Sequence, residues 1–504
     1  MDYEQKNLLG RPKRKLKKED VNIVDTKIAK QSVIATSLGN AMEWFDFGLY
    51  AYLAITIGKV FFPEIDPSFQ LIYAFATFAI AFIARPIGGF VFGMLGDRIG
   101  RKNILALTLI MMAGSTLSIG LIPSYATIGI AAPILLLIAR LIQGFSTGGE
   151  YAGAMTFIAE STPDKKRGFL ASGLEVGSLV GFIAGAGLVT LLSYLLGPDK
   201  MVEWGWRIPF LIAGPLGFIG FYFRSHLEET PAFKAMAKTE KEEKHRASLK
   251  EIVTHHWKPL LICIGIVLFY NTTNYTVLTY MPSYLSEELG YGETKGLFLV
   301  LLLMVLMIPI ILGMGYLSDR IRSRNRIIKG ALIGNILLSI PAIMMMKTGN
   351  DVIVFLGLLL LGSQLACLQG TLPATLPSLF FTNVRFGSLA ITYNISTSLF
   401  GGTTPLVVAW LVSITHNSMI PAYYLMASCL FGLIIVGLFV KETAGRSLRG
   451  SLPAVEDPSE IDEILKDPDE ALWWKEELNM EIEEDVKFGQ TSPIPTEEKT
   501  MKIQ

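Results

Sequence analysis

The chain has 504 residues, 51% hydrophobic and 17% charged, and its 44 basic and 44 acidic side chains cancel to a net charge of zero. Ordinary soluble domains carry about 25% charged residues, so this composition excludes a typical water-soluble fold. The zero net charge by itself tells nothing about partners; no nucleic-acid partner is expected.

In chain order, the first 30 residues form a polar arm with Lys13, Arg14, Lys15, Lys17 and Lys18, without the apolar stretch and cleavage site of an export signal. From Val33 to Val440, runs of about twenty apolar residues recur, each long enough to cross a bilayer as a helix. The pattern predicts twelve such spans, at 33–57, 70–94, 104–123, 132–158, 168–196, 206–224, 259–283, 297–318, 327–346, 352–377, 388–415 and 421–440. The fold class is therefore an all-α integral membrane protein with two six-helix bundles, 31–224 and 259–440, joined by a charged linker, 225–258, and followed by an acidic tail, 441–504.

An even number of spans places both termini on one side. One set of connections carries Arg98, Arg101 and Lys102, then Lys165, Lys166 and Arg167, then Arg320, Arg322, Arg324, Arg326 and Lys329. The other set holds little beyond Lys59, Lys200, Arg207, Lys295 and Lys347. Basic loops stay inside, so both termini are expected in the cytoplasm.

The first span carries Thr36, Asn40, Glu43, Asp46 and Tyr50, which at about 100° per residue share one helix face, with Ile34, Leu38 and Leu49 directed elsewhere. Ionisable side chains at bilayer depth are costly and mark functional sites by default. Two carboxylates within one turn repel each other, which suits a proton carrier. Arg85, just before Pro86 in the second span, and Arg140, Gln143 and Glu150 in the fourth supply counter-charge and hydrogen-bonding groups. A proline with neighbouring glycines is expected to loosen the second span there. Both signs of charge in one interior suit a zwitterion, or a substrate with a coupling proton. In the fifth span Gly173, Gly177, Gly181 and Gly185 form a stripe for close helix packing, and Glu175 reads as interfacial.

The second half offers amides and aromatic rings instead: Asn271, Asn274, Tyr275 and Tyr280 in the seventh span, Tyr393 and Asn394 in the eleventh. Aromatic faces attract quaternary ammonium groups. Cys263, Cys367 and Cys429 fall in separate spans and read as small core hydrophobes. The five histidines lie in loops or at membrane edges, so neither an enzyme nor a metal site is expected, and protons are the only coupling species. In the tail, Ala471–Phe488 is a candidate short helix, with no sustained heptads for a coiled coil.

Two loops echo each other. Gly93-Met-Leu-Gly96-Asp97-Arg98-Ile-Gly100-Arg101-Lys102 and Gly315-Tyr-Leu-Ser318-Asp319-Arg320-Ile-Arg322-Ser-Arg324 each follow the second helix of a six-helix block, so the chain reads as one membrane unit written twice. These loops resemble the signature loop of the major facilitator superfamily. Finer motifs resemble its metabolite:proton symporter branch: Gly39-Asn-Ala-Met-Glu43-Trp44-Phe-Asp46, Arg85-Pro86-Ile-Gly88-Gly89, Arg140-Leu-Ile-Gln143-Gly144, Gly148-Gly149-Glu150-Tyr151 and Trp204-Gly205-Trp206-Arg207.

The resemblance implies the major facilitator fold and proton-coupled uptake by alternating access in a bacterial inner membrane. It also implies a monomer in the lipid bilayer whose partners are a small zwitterionic solute, such as proline or glycine betaine, and protons. A proton symporter for an organic carboxylate, such as a dicarboxylate or shikimate, is the alternative. Asp97, Arg98 and Arg101, with Asp319 and Arg320, would form the gating locks. Arg322 stands where the first loop has Gly100, which is expected to alter the second turn and weaken its lock. Osmotic activation is an open part of this expectation, because the tail lacks the coiled coil of some osmosensing relatives.

Overall fold

A computed structural model of the chain describes residues 18, 21–99, 101–148, 150–226, 257–449 and 451–466. The start of the arm, most of the linker and the candidate helix Ala471–Phe488 lie outside the described residues, as do the side chains of Asp97, Arg98, Arg101 and Glu150.

The described chain is a twelve-span helical membrane fold in two bundles. The first six spans are Thr26–Tyr52, continued by Ala54–Phe61; Pro67–Ile99; Arg101–Leu121; Ala131–Ser146 with Glu150–Glu160; Arg167–Lys200; and Arg207–His226. The seventh, Trp257–Asn274, widens into π-helix over Tyr275–Tyr280 and again over Tyr284–Glu288. Glu293–Arg320, Arg324–Met346 and Asp351–Thr375 follow. The eleventh runs Thr382–Ser396, passes a π-turn at Thr397–Gly401 and resumes at Thr404–Thr415, and Ile420–Phe439 is the twelfth. Nine of the described helices are long and apolar enough to cross a membrane by composition alone. The first falls short of that criterion because Asn40, Glu43 and Asp46 lower its mean hydropathy.

Side chains that face lipid have no water to avoid, so an apolar exterior is stable there. Ile34 and Leu38 accordingly stand 61% and 64% exposed. Leu49 is fully buried, packed against Gly185 of the fifth span.

Backbone-to-backbone contact made possible by glycine sets the helix registers. A Cβ on Gly177 would meet the Ser37 carbonyl oxygen at 2.5 Å, and one on Gly181 would overlap the Ala41 carbonyl, so the fifth-span stripe seats the first span. In the second span the helix continues through Pro86 rather than loosening. Its Gly88 and Gly89 lie on the carbonyls of Phe145 and Gly148, while Gly144 lies on that of Ala81. This second–fourth crossing fixes where Arg85 and Arg140 point.

Both described ends of the chain lie at the basic end of the bundle, where Asn22–Ile23 pairs in parallel with Ala454–Val455.

Candidate functional site

The polar stripe of the first span faces its partners from the second, third and fourth. Glu43 and Arg85 form an ion pair of 2.8 Å, each side chain only 1% exposed. Asp46 accepts from the Thr116 hydroxyl at 3.1 Å; Thr116 in turn accepts from the Gln143 amide at 2.9 Å, and Arg140 donates to Gln143. The acid and the guanidinium of this second set are thus linked through neutral groups. The Arg140 guanidinium stacks over the Tyr50 ring, 4.2 Å from its centre, and the Tyr50 hydroxyl donates to the Ala74 carbonyl at 3.1 Å. Removing one partner of a buried pair costs about 3–5 kcal/mol, since the other charge remains in low dielectric.

Not every stripe residue faces this network. Thr36 bonds back to its own helix at Ser32. Asn40 ties the first span to the fifth, donating to the Leu174 carbonyl at 3.2 Å and to Ser178, while Trp44 donates to its side-chain oxygen at 3.1 Å.

The second half covers this surface with rings and amides. Tyr275, on the widened turn of the seventh span, meets Phe82 edge-on at 5.4 Å and lies 6.3 Å from Trp44. Tyr393 lies 4.8 Å from Tyr151. Asn271 donates to Thr397 at 2.9 Å and Asn274 accepts from Gln369 at 3.1 Å, so both amides are engaged within their own half. Across the interface, Asn394 donates to the Gly148 carbonyl and Ser398 to that of Phe82. Arg85 Nε and Nη1, Arg140 Nε and the Tyr275 hydroxyl are buried without a hydrogen-bond partner among the described residues. The centre therefore holds spare donors beside two carboxylates.

The sequence reading passed over Thr116 and gave Glu175 little weight. Thr116 lay inside an apolar run, and its signal was the Ser115-Thr116 step in an otherwise oily third span. Glu175, read as interfacial, is 2% exposed and accepts from the Tyr151 hydroxyl on the inner face.

At the basic end the halves lock through Asp319. Its carboxylate accepts from the backbone N–H groups of Gly168 and Phe169, at 2.9 and 2.8 Å, and so caps the start of the fifth span from the opposite half. Arg324 lies 3.7 Å from it, whereas Arg320 is exposed. Arg322 adopts φ +49°, the left-handed conformation that glycine favours, while its counterpart Gly100 lies outside the described residues. Arg385 of the eleventh span pairs with Glu160 of the fourth.

The tail then crosses from one half to the other. Glu442 accepts from Ser323 and from the Arg324 backbone, and Arg167 and Arg385 donate to the carbonyls of Arg446 and Arg449. The Ala454 N–H donates to Asp164 at 2.9 Å, Glu456 pairs with Lys166, and Lys165 reaches Glu460 and Glu463. Burial opposes ionisation of Glu442, yet the hydrogen bonds it accepts outweigh that cost and hold its carboxyl below the ordinary value of 4.5.

At the opposite end the contact is thinner. Glu293 of the eighth span pairs with Lys59 at 2.9 Å and accepts from Thr56 at 3.2 Å. Behind it, Phe75 and Tyr280 stand 6.1 Å apart across the interface. Contact at both ends and in the middle makes this an occluded arrangement.

Two pseudo-equivalent bundles around buried charges define a transporter, and the chain belongs to the Major Facilitator Superfamily, which it matches over residues 36–405. It is a multi-pass membrane transporter rather than an enzyme. Among curated relatives, it is 50% identical over 453 residues to the proline/betaine transporter of Salmonella typhimurium, covering 88% of this chain and 90% of that one. It is 48% identical over 474 residues to the glycine betaine/proline/ectoine/pipecolic acid transporter OusA of Dickeya dadantii, covering 92% and 94%. Among solved structures, a partially occluded inward-open form of the Escherichia coli xylose transporter XylE superposes with a TM-score of 0.66 at 17% identity, over 83% of this chain and 99% of that one. That likeness concerns the fold.

Proposed function

We propose that this protein imports compatible solutes, namely proline, glycine betaine and similar zwitterions, together with a proton across a bacterial inner membrane. The basic end faces the cytoplasm, as the placement of Lys and Arg favours. The solute binds between the halves, which rock about it so that the ends open in turn. The observation that carries this reading is the buried centre: two carboxylates, two arginines with spare donors and a facing aromatic wall. The names borne by relatives about half identical over most of the chain support the choice of solute.

In this scheme Arg85, Arg140 and Tyr275 offer hydrogen bonds to the solute carboxylate. Glu43 exchanges its tie to Arg85 for a proton as the solute takes the arginine. Asp97 and Asp319 gate the cytoplasmic end. The test is uptake of labelled proline and glycine betaine into proteoliposomes, with and without an inward proton gradient. Gradient-driven accumulation of either, inhibited by the other, is expected; Glu43→Gln should lower that accumulation at least tenfold while retaining solute exchange. No accumulation in vesicles that do accumulate a dicarboxylate would overturn the proposed solute class.

A further inference from the structure

Glu175 is a buried carboxylate with no role in the scheme above. It sits on the fifth span, 2% exposed, and no ion pair to it is present among the described residues. It accepts from Tyr151 of its own half, with Ser178 of its own span and Tyr270 of the other half close by. A carboxylate has about four acceptor positions on its two oxygens, so the Tyr151 hydroxyl leaves capacity for another donor or for a cation.

The rings around it connect it to the arginines. Tyr151 lies 4.8 Å from Tyr393 and meets Trp44 edge-on at 6.3 Å, and Trp44 lies 6.3 Å from Tyr275, whose hydroxyl has no partner among the described residues. Trp44 thus stands between a positive pole, Arg85 and Arg140, and a negative pole, Glu175. Each pole includes or touches residues of both halves.

We propose that Glu175 is the cation subsite of the solute site: it receives the ammonium end of the zwitterion over the faces of Trp44, Tyr151 and Tyr393, while the arginines hold the carboxylate end. A secondary ammonium such as that of proline can donate directly to the carboxylate. A quaternary ammonium has no N–H and is held by charge and by the ring faces, so one subsite accepts both. Tyr270 of the second bundle lies near Glu175, so residues of both halves border this subsite.

This inference rests on the proposed solute class, and the experiment separates the two. Equilibrium binding of labelled glycine betaine to the purified full-length protein is measured with unlabelled glycine betaine and 3,3-dimethylbutanoate as competitors. The second compound is its carbon isostere, with the carboxylate but not the positive charge. In the wild type the isostere should compete at least thirtyfold more weakly. Glu175→Gln, which keeps size and hydrogen bonding, should weaken glycine betaine at least tenfold and alter the isostere less than twofold. Equal competition by the two compounds in the wild type would overturn the subsite without any variant. Unchanged glycine betaine binding by Glu175→Gln would also overturn it, leaving a structural hydrogen-bond hub. A variant that keeps binding and exchange but loses gradient-driven accumulation would make Glu175 a proton carrier instead. Absence of all glycine betaine and proline binding in the wild type would instead sink the solute class.

Discussion

The two ends of the transport path are closed by different means. At the basic end, Asp319 caps a helix of the opposite half, Glu160 pairs with a fully buried Arg385, and the tail adds a strand and several ion pairs to Lys165 and Lys166 of the first half. At the other end, the polar contact centres on Glu293, whose partner Lys59 has a side chain 47% exposed. Charge-assisted bonds to a helix terminus in a partly buried site are strong, whereas exposed pairs are screened and contribute about 0–1 kcal/mol. The occluded arrangement is therefore biased: opening the thin end requires less than opening the basic end. In the proposed orientation, a solute arriving from outside meets the weaker closure first.

Three substitutions test this asymmetry. The largest effect is expected for Asp319→Ala, which removes two hydrogen bonds at a helix start and leaves Arg324 without its nearest acid. A loss of about 2 kcal/mol would raise the population open at the basic end about thirtyfold. Faster labelling of cysteines introduced along the inner faces of the fourth and eleventh spans near that end would report it. Labelling at the wild-type rate would mean that Asp319 does not hold the halves together.

A middle-sized effect is expected for Ala454→Pro, which deletes the N–H that reaches Asp164 without touching either bundle. About 1 kcal/mol, or a fivefold rise in the same labelling, is the expected outcome. Acid should act in the same direction through Glu442. Its carboxyl is held below 4.5 when docked, so docking is stabilised above the undocked value and that contribution is lost as pH falls through the docked one. Limited proteolysis of the tail should accordingly accelerate below about pH 4. Smallest is Glu293→Gln, expected to change labelling at the opposite end less than about threefold. A larger change there than in Asp319→Ala would reverse the comparison.

Much of this architecture was legible in the sequence, because hydropathy is a local property. Runs of twenty apolar residues mark helices wherever they pack, and the polar face of the first span is visible from the spacing of Asn40, Glu43, Asp46 and Tyr50. Glu43 and Arg85 could each be singled out, since a charge at bilayer depth needs a partner. Their pairing could not be derived locally. It depends on the register of two helices 42 residues apart, set in part by the Gly88 and Gly144 contacts between the second and fourth spans.

Glu175 and Arg322 illustrate the remainder. Counting residues from the start of the apolar run placed Glu175 near the membrane edge, and the helix does begin at Arg167, but Gly177 and Gly181 draw in the first span and leave Glu175 on the inner face beside Tyr151. Residue preference alone argued against a left-handed turn at Arg322, and the surrounding turn overrides it. Composition and periodicity by themselves determined twelve helices, two repeated bundles and a charged first half. Only the tertiary structure decided which charges are paired, which are spare and which end is bolted, because each of those depends on side chains brought together from helices distant in the chain.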